Sequence, residues 1–271
     1  MGAVIDIDVK PGERVRFISD LHLAHERCQA LTDYDLESVV RGTDILVSNG
    51  DLSETRPCPW REMGVRLRAD FHALCARHGV RLIELAGNHD PALPHLAARF
   101  WGGRVVAMHG HAIFREIAPW SWEYINNKEL FRSIIAACPE ADTDLEARLE
   151  LSRRLSSAVS PIHKRRGPHI PVVSSLLHCF WPPERPLQII RGWLTSPGLA
   201  NRFAGQYFPQ AETVVLGHFH RHCFRRFPGR TVINTGAWFK HATPYVLDMV
   251  DARVEDFYPA PAHPAGQIPQ I

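Results

Sequence analysis

The chain has 271 residues, of which 45% are hydrophobic and 22% are charged, and its formal net charge is +2. This composition is typical of a globular protein with a substantial core, no apolar run is long enough to span a bilayer, and a charge this small does not point to nucleic acid as a partner. Residues 1–10 lack the basic and apolar regions of a signal peptide, and the six cysteines form no CxxC pair. We therefore expect a cytoplasmic protein.

Apolar runs that end in polar clusters predict four strands in the first part of the chain. They lie at 14–18, 44–47, 80–85 and 104–108. A stripe of apolar residues at helical spacing predicts a helix over 60–78, which ends at Gly79. Pro91 at a first helical position predicts a short helix over 91–100, with Asp90 as its cap. This part of the chain thus alternates strands with helices.

The pattern changes further along the chain. Residues 129–137 and 144–159 have helical patterns and are followed by closely spaced prolines, so we interpret 116–210 as a mostly helical insertion that covers a site. The whole chain, 1–271, is predicted to be a single domain that carries this insertion, and an ordinary helical layer of the core fold is the alternative interpretation of 116–210. Strands are again predicted at 213–216, 223–227, 231–233 and 245–250. The proline-rich residues 259–271 predict a flexible tail.

Five short clusters of Asp, Asn and His stand where the predicted strands end. They are Asp20-Leu21-His22, Gly50-Asp51, Gly87-Asn88-His89-Asp90, His109-Gly110-His111 and Gly217-His218-Phe219-His220. Side chains at strand ends can converge on one point, and this set offers enough oxygen and nitrogen ligands for two metal ions. Asp20 and His22 are two positions apart, so on an extended backbone they point to the same side. Mixed oxygen and nitrogen ligands suit Mn, Fe, Zn, Co or Ni rather than Ca.

This motif set resembles that of the calcineurin-like metallophosphoesterases, which runs D-x-H, G-D, G-N-H-[DE], H and G-H-x-H. All five motifs are present in order, and the resemblance covers residues 14–250 except for the insertion. It implies an α/β sandwich of four layers, with two packed mixed β-sheets flanked by helices and a site where strand ends meet. It also implies two divalent transition-metal ions, with manganese favoured, and hydrolysis of a phosphate ester or pyrophosphate by a hydroxide that bridges them.

The resemblance further implies a role for each motif residue. One ion would be held by Asp20, His22, Asp51 and His220, and the other by Asp51, Asn88, His109 and His218. His89 would protonate the leaving alkoxide. Asp90 would orient His89, cap the helix that follows, or do both.

Several other residues are candidates for contact with a substrate. His111 stands where relatives often have an acid, and it would contact a phosphate or support a ligand. Arg56 is either a phosphate clamp or a solvated loop charge. Residues 151–210 hold eight basic residues against one acidic residue, a local net charge of +7, and the predicted phosphate contact there is Lys164-Arg165-Arg166.

Basic residues mixed with aromatic residues in the insertion favour a small anionic substrate that contains phosphate and has an apolar or nucleotide part, and they leave peripheral contact with a membrane open. The insertion and the stretch Asn234-Thr235-Gly236-Ala237-Trp238 are similar to the branch that contains UDP-2,3-diacylglucosamine hydrolases, although some of that branch carry Arg where this chain has His89. A pyrophosphatase of that kind is the alternative specific activity. A non-catalytic metal-binding scaffold and a DNA nuclease are further alternatives, disfavoured by the complete ligand set and the near-neutral charge.

Overall fold

The structure is a computed structural model that describes residues 2–164, 184–240 and 242–263. Within these residues eleven strands form two mixed sheets. The strands are β1 (Val4–Ile7), β2 (Arg14–Ile18), β3 (Ile45–Asn49), β4 (Arg81–Leu85), β5 (Ala97–Phe100), β6 (Val105–Met108), β7 (Thr213–Leu216), β8 (Cys223–Phe227), β9 (Arg230–Asn234), β10 (Tyr245–Val250) and β11 (Arg253–Pro259). One sheet has the order β1-β5-β6-β7-β9-β8, and the other has the order β11-β10-β2-β3-β4.

Helices cover the outer face of each sheet. They are α1 (Leu36–Val40), α2 (Arg61–Arg77), α3 (Trp122–Asn126), α4 (Lys128–Ala136), α5 (Leu145–Lys164) and α6 (Glu184–Tyr207). Leu67 and Phe71 of α2 pack in one buried cluster with Ile18 of β2, and Ala204 of α6 packs in another with Val214 of β7. The predicted fold class is confirmed, since two packed mixed sheets lie between two helical layers.

The central core lies between the two sheets. Phe17 of β2 and Phe100 of β5 meet edge to face there, with ring centroids 5.3 Å apart, and Val47 and Val215 belong to the same buried cluster. The strands β2, β3 and β4 are parallel neighbours in one sheet, and β6 and β7 are parallel neighbours in the other. Packing the sheets face to face therefore brings two sets of parallel strand ends close together.

The helix predicted over 91–100 is wrong. Residues 91–96 form turns, and 97–100 is strand β5, which pairs with β1 and β6. Pro94 lacks an N–H and pushes Leu93 away from helical angles, which prevents a helix from continuing. Sequence reasoning also missed β1, β11 and α1, and β1 and β11 lie at the edges of their sheets.

In the described residues of the proposed insertion, 116–210, the regular elements are helices, which turns connect. Its helices enclose a small core of their own around Phe131, Leu151 and Leu155. Of the predicted tail, Ala260 donates a backbone hydrogen bond to Pro244 and His263 donates one to Asp33, whereas 264–271 lie outside the described residues. In the described part of the chain, none of the helices has both the length and the apolar character needed to cross a membrane.

A buried ion pair links β2 to β10. Arg16 donates from Nε to Oδ1 of Asp248 and from Nη2 to Oδ2, both at 2.7 Å, and its Nη1 donates to the carbonyls of Val39 and Arg41. Burial by itself lowers the pKa of Arg16, but the hydrogen bond and charge of Asp248 outweigh it and raise the pKa. The guanidinium is therefore charged and depends on this one carboxylate.

We expect Asp248→Ala to lower the free energy of unfolding by about 3–5 kcal/mol, because the substitution leaves the buried charge of Arg16 without its partner. Urea denaturation followed by circular dichroism measures the change. The matched control is Glu255→Ala on the exposed strand β11, for which we expect a change within about 0.5 kcal/mol. Equal effects of the two substitutions would contradict the prediction.

Candidate metal centre

The five motif clusters lie together at one edge of the sandwich. Asp20, Asp51 and Asn88 follow β2, β3 and β4, the parallel strands of one sheet. His109 and His218 follow β6 and β7, the parallel strands of the other sheet. The loops after parallel strands open at the carboxyl ends of those strands, which is where α/β proteins commonly bind their ligands. Side chains from both sheets therefore face one another.

Strained backbone marks the same residues. Asp20, His22, Asp51, His218 and His220 all have left-handed backbone angles, with φ of 54°, 49°, 55°, 71° and 54°. Non-glycine residues adopt this conformation at an energetic cost, and such residues cluster at functional sites. The argument from an extended backbone at Asp20 and His22 is therefore wrong in its premise, although both side chains still reach the same point.

A first group of side chains surrounds the carboxylate of Asp20. The Nε2 atom of His22 lies 3.8 Å from Oδ1 of Asp20 and 3.6 Å from Oδ2 of Asp51, and Nε2 of His220 lies 3.3 Å from Oδ1 of Asp20. The candidate ligand atoms of Asp20, His22 and His220 all lie within 4.8 Å of one another. Among the described residues, Nε2 of His22 is fully buried and has no hydrogen-bond partner.

A second group lies on the other side of Asp51. The Nε2 atom of His109 lies 3.2 Å from Oδ2 of Asp51 and 3.1 Å from Oδ1 of Asn88. The same Asn88 oxygen lies 2.9 Å from Nδ1 of His218. The carbonyl of Asn49 lies 3.1 Å from Nδ1 of His109, which leaves Nε2 of that ring directed at Asp51. Asp51 is thus common to both groups.

Two glycines allow this close packing. A Cβ atom at Gly87 would overlap Oδ1 of Asp51, and one at Gly217 would overlap Oδ2 of Asp20. The backbone of the loop after β4 therefore lies directly against one carboxylate, and the loop after β7 lies directly against the other. Only glycine fits at either position without displacing a candidate ligand.

The electrostatics of the two groups follow from burial and from this proximity. Burial by itself raises the pKa of Asp20 and Asp51, but nearby histidines, led by His109, hold both well below the usual range. Burial by itself lowers the pKa of His22 and His109, but the carboxylates raise it to about 10 and about 9. Without a metal, protonated imidazoles neutralise the negative charge of the buried carboxylates. A metal cation that displaced those protons would neutralise the same charge.

His89 lies beside these groups, at the mouth of the site. Its Nδ1 atom lies 2.7 Å from Oε1 of Glu54, and its backbone N–H donates to Oδ1 of Asp51 at 2.7 Å. The His89 side chain is 18% exposed, whereas that of Glu54 is fully buried. Its ring also lies within 4.8 Å of candidate ligand atoms of His22 and Asp51. Burial lowers the pKa of His89 to about 4, and the charge of Arg56 acts in the same direction.

Arg56 is buried, with 4% of its surface exposed, so its interpretation as a solvated loop charge is wrong. Its Nη2 lies 3.7 Å from Oε2 of Glu54 and 2.6 Å from Nδ1 of His89. If Nδ1 of His89 carries a proton, it donates a hydrogen bond to Glu54. If Nδ1 carries no proton, it accepts a hydrogen bond from Arg56. Glu54 and Arg56 thus form a buried ion pair within the loop that follows Asp51.

The Asp90 carboxylate bonds to backbone amides and makes no hydrogen bond to the His89 ring among the described residues. Its carboxylate accepts hydrogen bonds from the backbone N–H groups of Gly87, Asp51 and Leu52, at 2.6, 3.2 and 3.0 Å. The expected helix cap is also wrong, because residues 91–96 form turns. Burial and the charge of Asp51 raise the pKa of Asp90 to about 7. Asp90 instead fastens the loop after β4 to the loop after β3, and Glu54 occupies the position expected of Asp90 beside His89.

The remaining candidates for contact with a substrate are His111 and Lys164-Arg165-Arg166. His111 is buried, its ring centroid lies 5.3 Å from that of His109, and neither of its nitrogens has a hydrogen-bond partner within the described chain. Its ring therefore lies beside that of His109, and its role as a phosphate contact or as support for a ligand stays a prediction. Lys164 is the last residue of α5, but its side chain, Arg165 and Arg166 lie outside the described residues.

No protein-family model and no curated protein matches the chain. Several solved structures are similar to it. A predicted phosphoesterase of Streptococcus pneumoniae is 13% identical over 95% of this chain and 96% of that chain, with a TM-score of 0.39. A cold-active protein-tyrosine phosphatase of a psychrophilic Shewanella is 12% identical over 96% and 82%, and a dimetal phosphatase of Danio rerio is 14% identical over 93% and 97%, each with a TM-score of 0.45. Similarities this low leave the activity to be argued from the residues.

Proposed function

We propose that this protein is a metal-dependent phosphoesterase with a dinuclear centre. The observation that carries the proposal is the pair of buried carboxylates, Asp20 and Asp51, each surrounded by imidazoles from both sheets. Buried charges of one sign are retained when cations balance them. The proposed ligands of the two ions are Asp20, His22, Asp51 and His220 for one and Asp51, Asn88, His109 and His218 for the other.

The donor set suits such ions. It combines carboxylate, amide and imidazole atoms, the mixture that first-row transition metals accept, and manganese is the proposed metal. The unpartnered, buried Nε2 of His22 is directed at Asp20 and Asp51, where a ligand atom is needed. The contact of its Nδ1 with Glu54, at 3.1 Å, resembles the carboxylate support that ligating histidines commonly have.

Two ions bound by these residues would supply an activated water and would hold the oxygens of a phosphoryl group. The chain itself supplies the rest. His89 lies at the mouth of the site, where its ring, once it carries a proton on both nitrogens, can give one of them to the leaving oxygen. Arg56 adds a fixed positive charge beside His89, which favours binding of an anionic phosphate there.

We also propose that the substrate has an apolar part. Trp193 of α6 donates from its indole N–H to the carbonyl of Phe219, inside the last motif, at 3.0 Å. On the same helix Leu187, Ile190 and Leu194 are exposed. An apolar surface that adjoins the site favours an apolar ester as the substrate over a free sugar phosphate. The same surface supports a pyrophosphatase like the UDP-2,3-diacylglucosamine hydrolases as the second candidate function.

The test uses purified protein stripped of metal and reloaded with Mn²⁺. We expect two ions per chain by elemental analysis and hydrolysis of p-nitrophenyl phosphate or its bis ester, which chelator abolishes and Mn²⁺ restores. Undiminished turnover by the stripped protein in chelator would overturn the proposal. Two bound ions without turnover of any phosphate ester would favour the non-catalytic scaffold.

A further inference from the structure

We propose that the inserted helices hold the donors of the second ion, Asn88, His109 and His218, in position, with Arg148 and Arg153 as positioning residues. The inference rests on the proposed function and extends it to residues outside the five motifs. The three donors follow β4, β6 and β7, and each of the loops that carry them accepts hydrogen bonds from side chains of the proposed insertion, 116–210. In this role the insertion is a rigid support of the site.

Arg153 of α5 holds the loop after β4. Its Nη1 donates to the carbonyls of Pro91 and Leu93, at 3.1 and 2.7 Å, and its Nη2 donates to the carbonyl of Pro94 at 2.8 Å. Residues 91–96 form turns, so these carbonyls lack the partners that a helix would supply. One planar guanidinium serves all three of them. The loop that supplies an amide oxygen to the second ion therefore depends on α5.

Arg148, earlier on the same helix, holds the loop after β6. Its Nε donates to the carbonyl of Ala112 at 2.8 Å, and its Nη2 donates to that of Ile113 at 3.4 Å. Both carbonyls follow His109 closely in the chain. Arg148 is buried, and a buried guanidinium without acceptors would carry a large desolvation penalty. Arg148 and this loop therefore hold each other in place.

Ile117, near the start of the insertion, contacts a donor directly. Its carbonyl lies 2.9 Å from Nε2 of His218. A carbonyl only accepts, so Nε2 carries a proton in this contact and Nδ1, which faces Asn88, is left to bind a cation. Ile117 has a left-handed backbone with φ of 57°, which is costly for a β-branched residue. Its side chain is buried in one cluster with Phe131 and Leu155, and this packing keeps the carbonyl directed at His218.

Helix α6 supports the loop after β7. The indole N–H of Trp193 donates to the carbonyl of Phe219, the residue after His218, at 3.0 Å. A Cβ atom at Gly192 would come within 2.8 Å of the ring of Trp120, so α6 lies directly against that ring. The Trp120 ring in turn lies beside that of His218, with centroids 6.0 Å apart. The last donor of the second ion is thus enclosed by the insertion.

The loops that carry Asp20, His22 and Asp51 are held in a different way. The loop after β2 bonds to the loop after β3, since the N–H of His22 donates to the carbonyl of Asp51 at 2.9 Å and the N–H of Leu23 donates to that of Leu52 at 3.0 Å. These two loops belong to the sheet that supplies most donors of the first ion. We therefore expect the loss of contacts from the insertion to weaken binding of the second ion more than binding of the first.

The test replaces Arg148 and Arg153, one at a time, by methionine, which keeps a long apolar side chain and removes every donor. Lysine at each position keeps the charge and one donating nitrogen in place of three. The matched control is Arg230→Met. Arg230 of β9 also donates to backbone carbonyls, among them that of Ala211 at 2.8 Å, but it is the first residue of its strand, at the end opposite the site.

Metal-stripped proteins are titrated with Mn²⁺ by calorimetry, and His109→Asn and His22→Asn identify which binding step belongs to which ion. We expect Arg148→Met and Arg153→Met each to weaken the second step about 10- to 100-fold and to change the first step less than about threefold. The lysine variants should recover part of the loss. Arg230→Met should leave both steps unchanged.

Amide hydrogen exchange of the metal-free proteins supplies a readout that needs no ion. The N–H of Gly87 donates to Asp90 and that of His89 donates to Asp51, so both amides report on the loop after β4. We expect Arg153→Met to speed their exchange by about tenfold, because the loop opens more often without its three hydrogen bonds. Arg230→Met should leave their exchange unchanged.

Three results would overturn the inference alone: equal weakening of both binding steps, wild-type affinity in both methionine variants, or wild-type exchange at Gly87 and His89 in Arg153→Met. A methionine variant with a lower free energy of unfolding and an unchanged second step would show that its arginine only stabilises the fold. If the wild-type chain bound no Mn²⁺, the proposed function would fail and this inference with it.

Discussion

In the Asp51→Asn variant we expect metal-dependent turnover to fall by at least about 10³-fold, the loss of several kcal/mol of transition-state stabilisation. Asp51 Oδ2 lies near both groups, 3.6 Å from Nε2 of His22 and 3.2 Å from Nε2 of His109, and it is closer to His109 than Oδ1 of Asp20, which lies 4.0 Å away. Asparagine keeps the shape and the acceptor for the His89 N–H, so the change removes charge rather than volume. Elemental analysis should find fewer than two ions per chain, and kcat/KM for p-nitrophenyl phosphate gives the loss.

The matched control for this substitution is Asp6→Asn. Asp6 is an exposed carboxylate of β1 that pairs with Arg99, away from the strand ends that form the site. We expect its variant to keep both ions and full turnover. An Asp51→Asn protein that is folded, binds two ions and retains more than a tenth of wild-type activity would show that Asp51 does not join the two cations.

We expect Gly217→Ala to reduce affinity for the first ion by at least about tenfold and turnover with it, although the new methyl group adds no charge and removes no ligand. The added Cβ would overlap Oδ2 of Asp20 and crowd Ser19. Asp20 accepts two hydrogen bonds from the His218 N–H, at 3.1 and 3.0 Å, so the loop and the carboxylate cannot move apart without cost. Calorimetric titration with Mn²⁺ measures the affinity.

Gly198→Ala in α6 is the control for this second prediction. A Cβ atom at Gly198 has open space, with only the tip of Arg202 as far as 4.0 Å away, and the helix tolerates alanine better than glycine. We expect metal affinity and turnover of that variant to equal those of the wild-type chain. Equal affinity in Gly217→Ala would contradict the close packing of the last motif on Asp20.

Most of the fold follows from local patterns. The runs at β2, β3, β4, β6 and β7 end in polar clusters, and the structure has strands at all five. The error at 91–100 arose because Pro91 and Asp90 form a helix-start pattern, whereas Pro94 and pairing with β1 and β6 favour turns and a strand. Strand β11 was missed because most of its residues are exposed and carry no alternating pattern.

The sequence could also identify some residues of the candidate site and not others. The motif residues could be found because their spacing is shared with a known family, and the structure brings their side chains together. Glu54 could not be found, since a single glutamate in a loop has no pattern, and its importance depends on two rings that come from different loops. Asp90 follows His89 directly, which made it the expected partner, yet its carboxylate turns back toward backbone amides.

Each of the two proposed ions takes donors from both sheets, and this shared origin has a consequence for assembly of the protein. Asp20 and His218 are separated by 198 positions along the chain, so an unfolded chain cannot gather them except at a large entropic penalty. Neither half of the sandwich holds a complete donor set alone. Binding of two cations would therefore occur late in folding, after the two sheets have packed together.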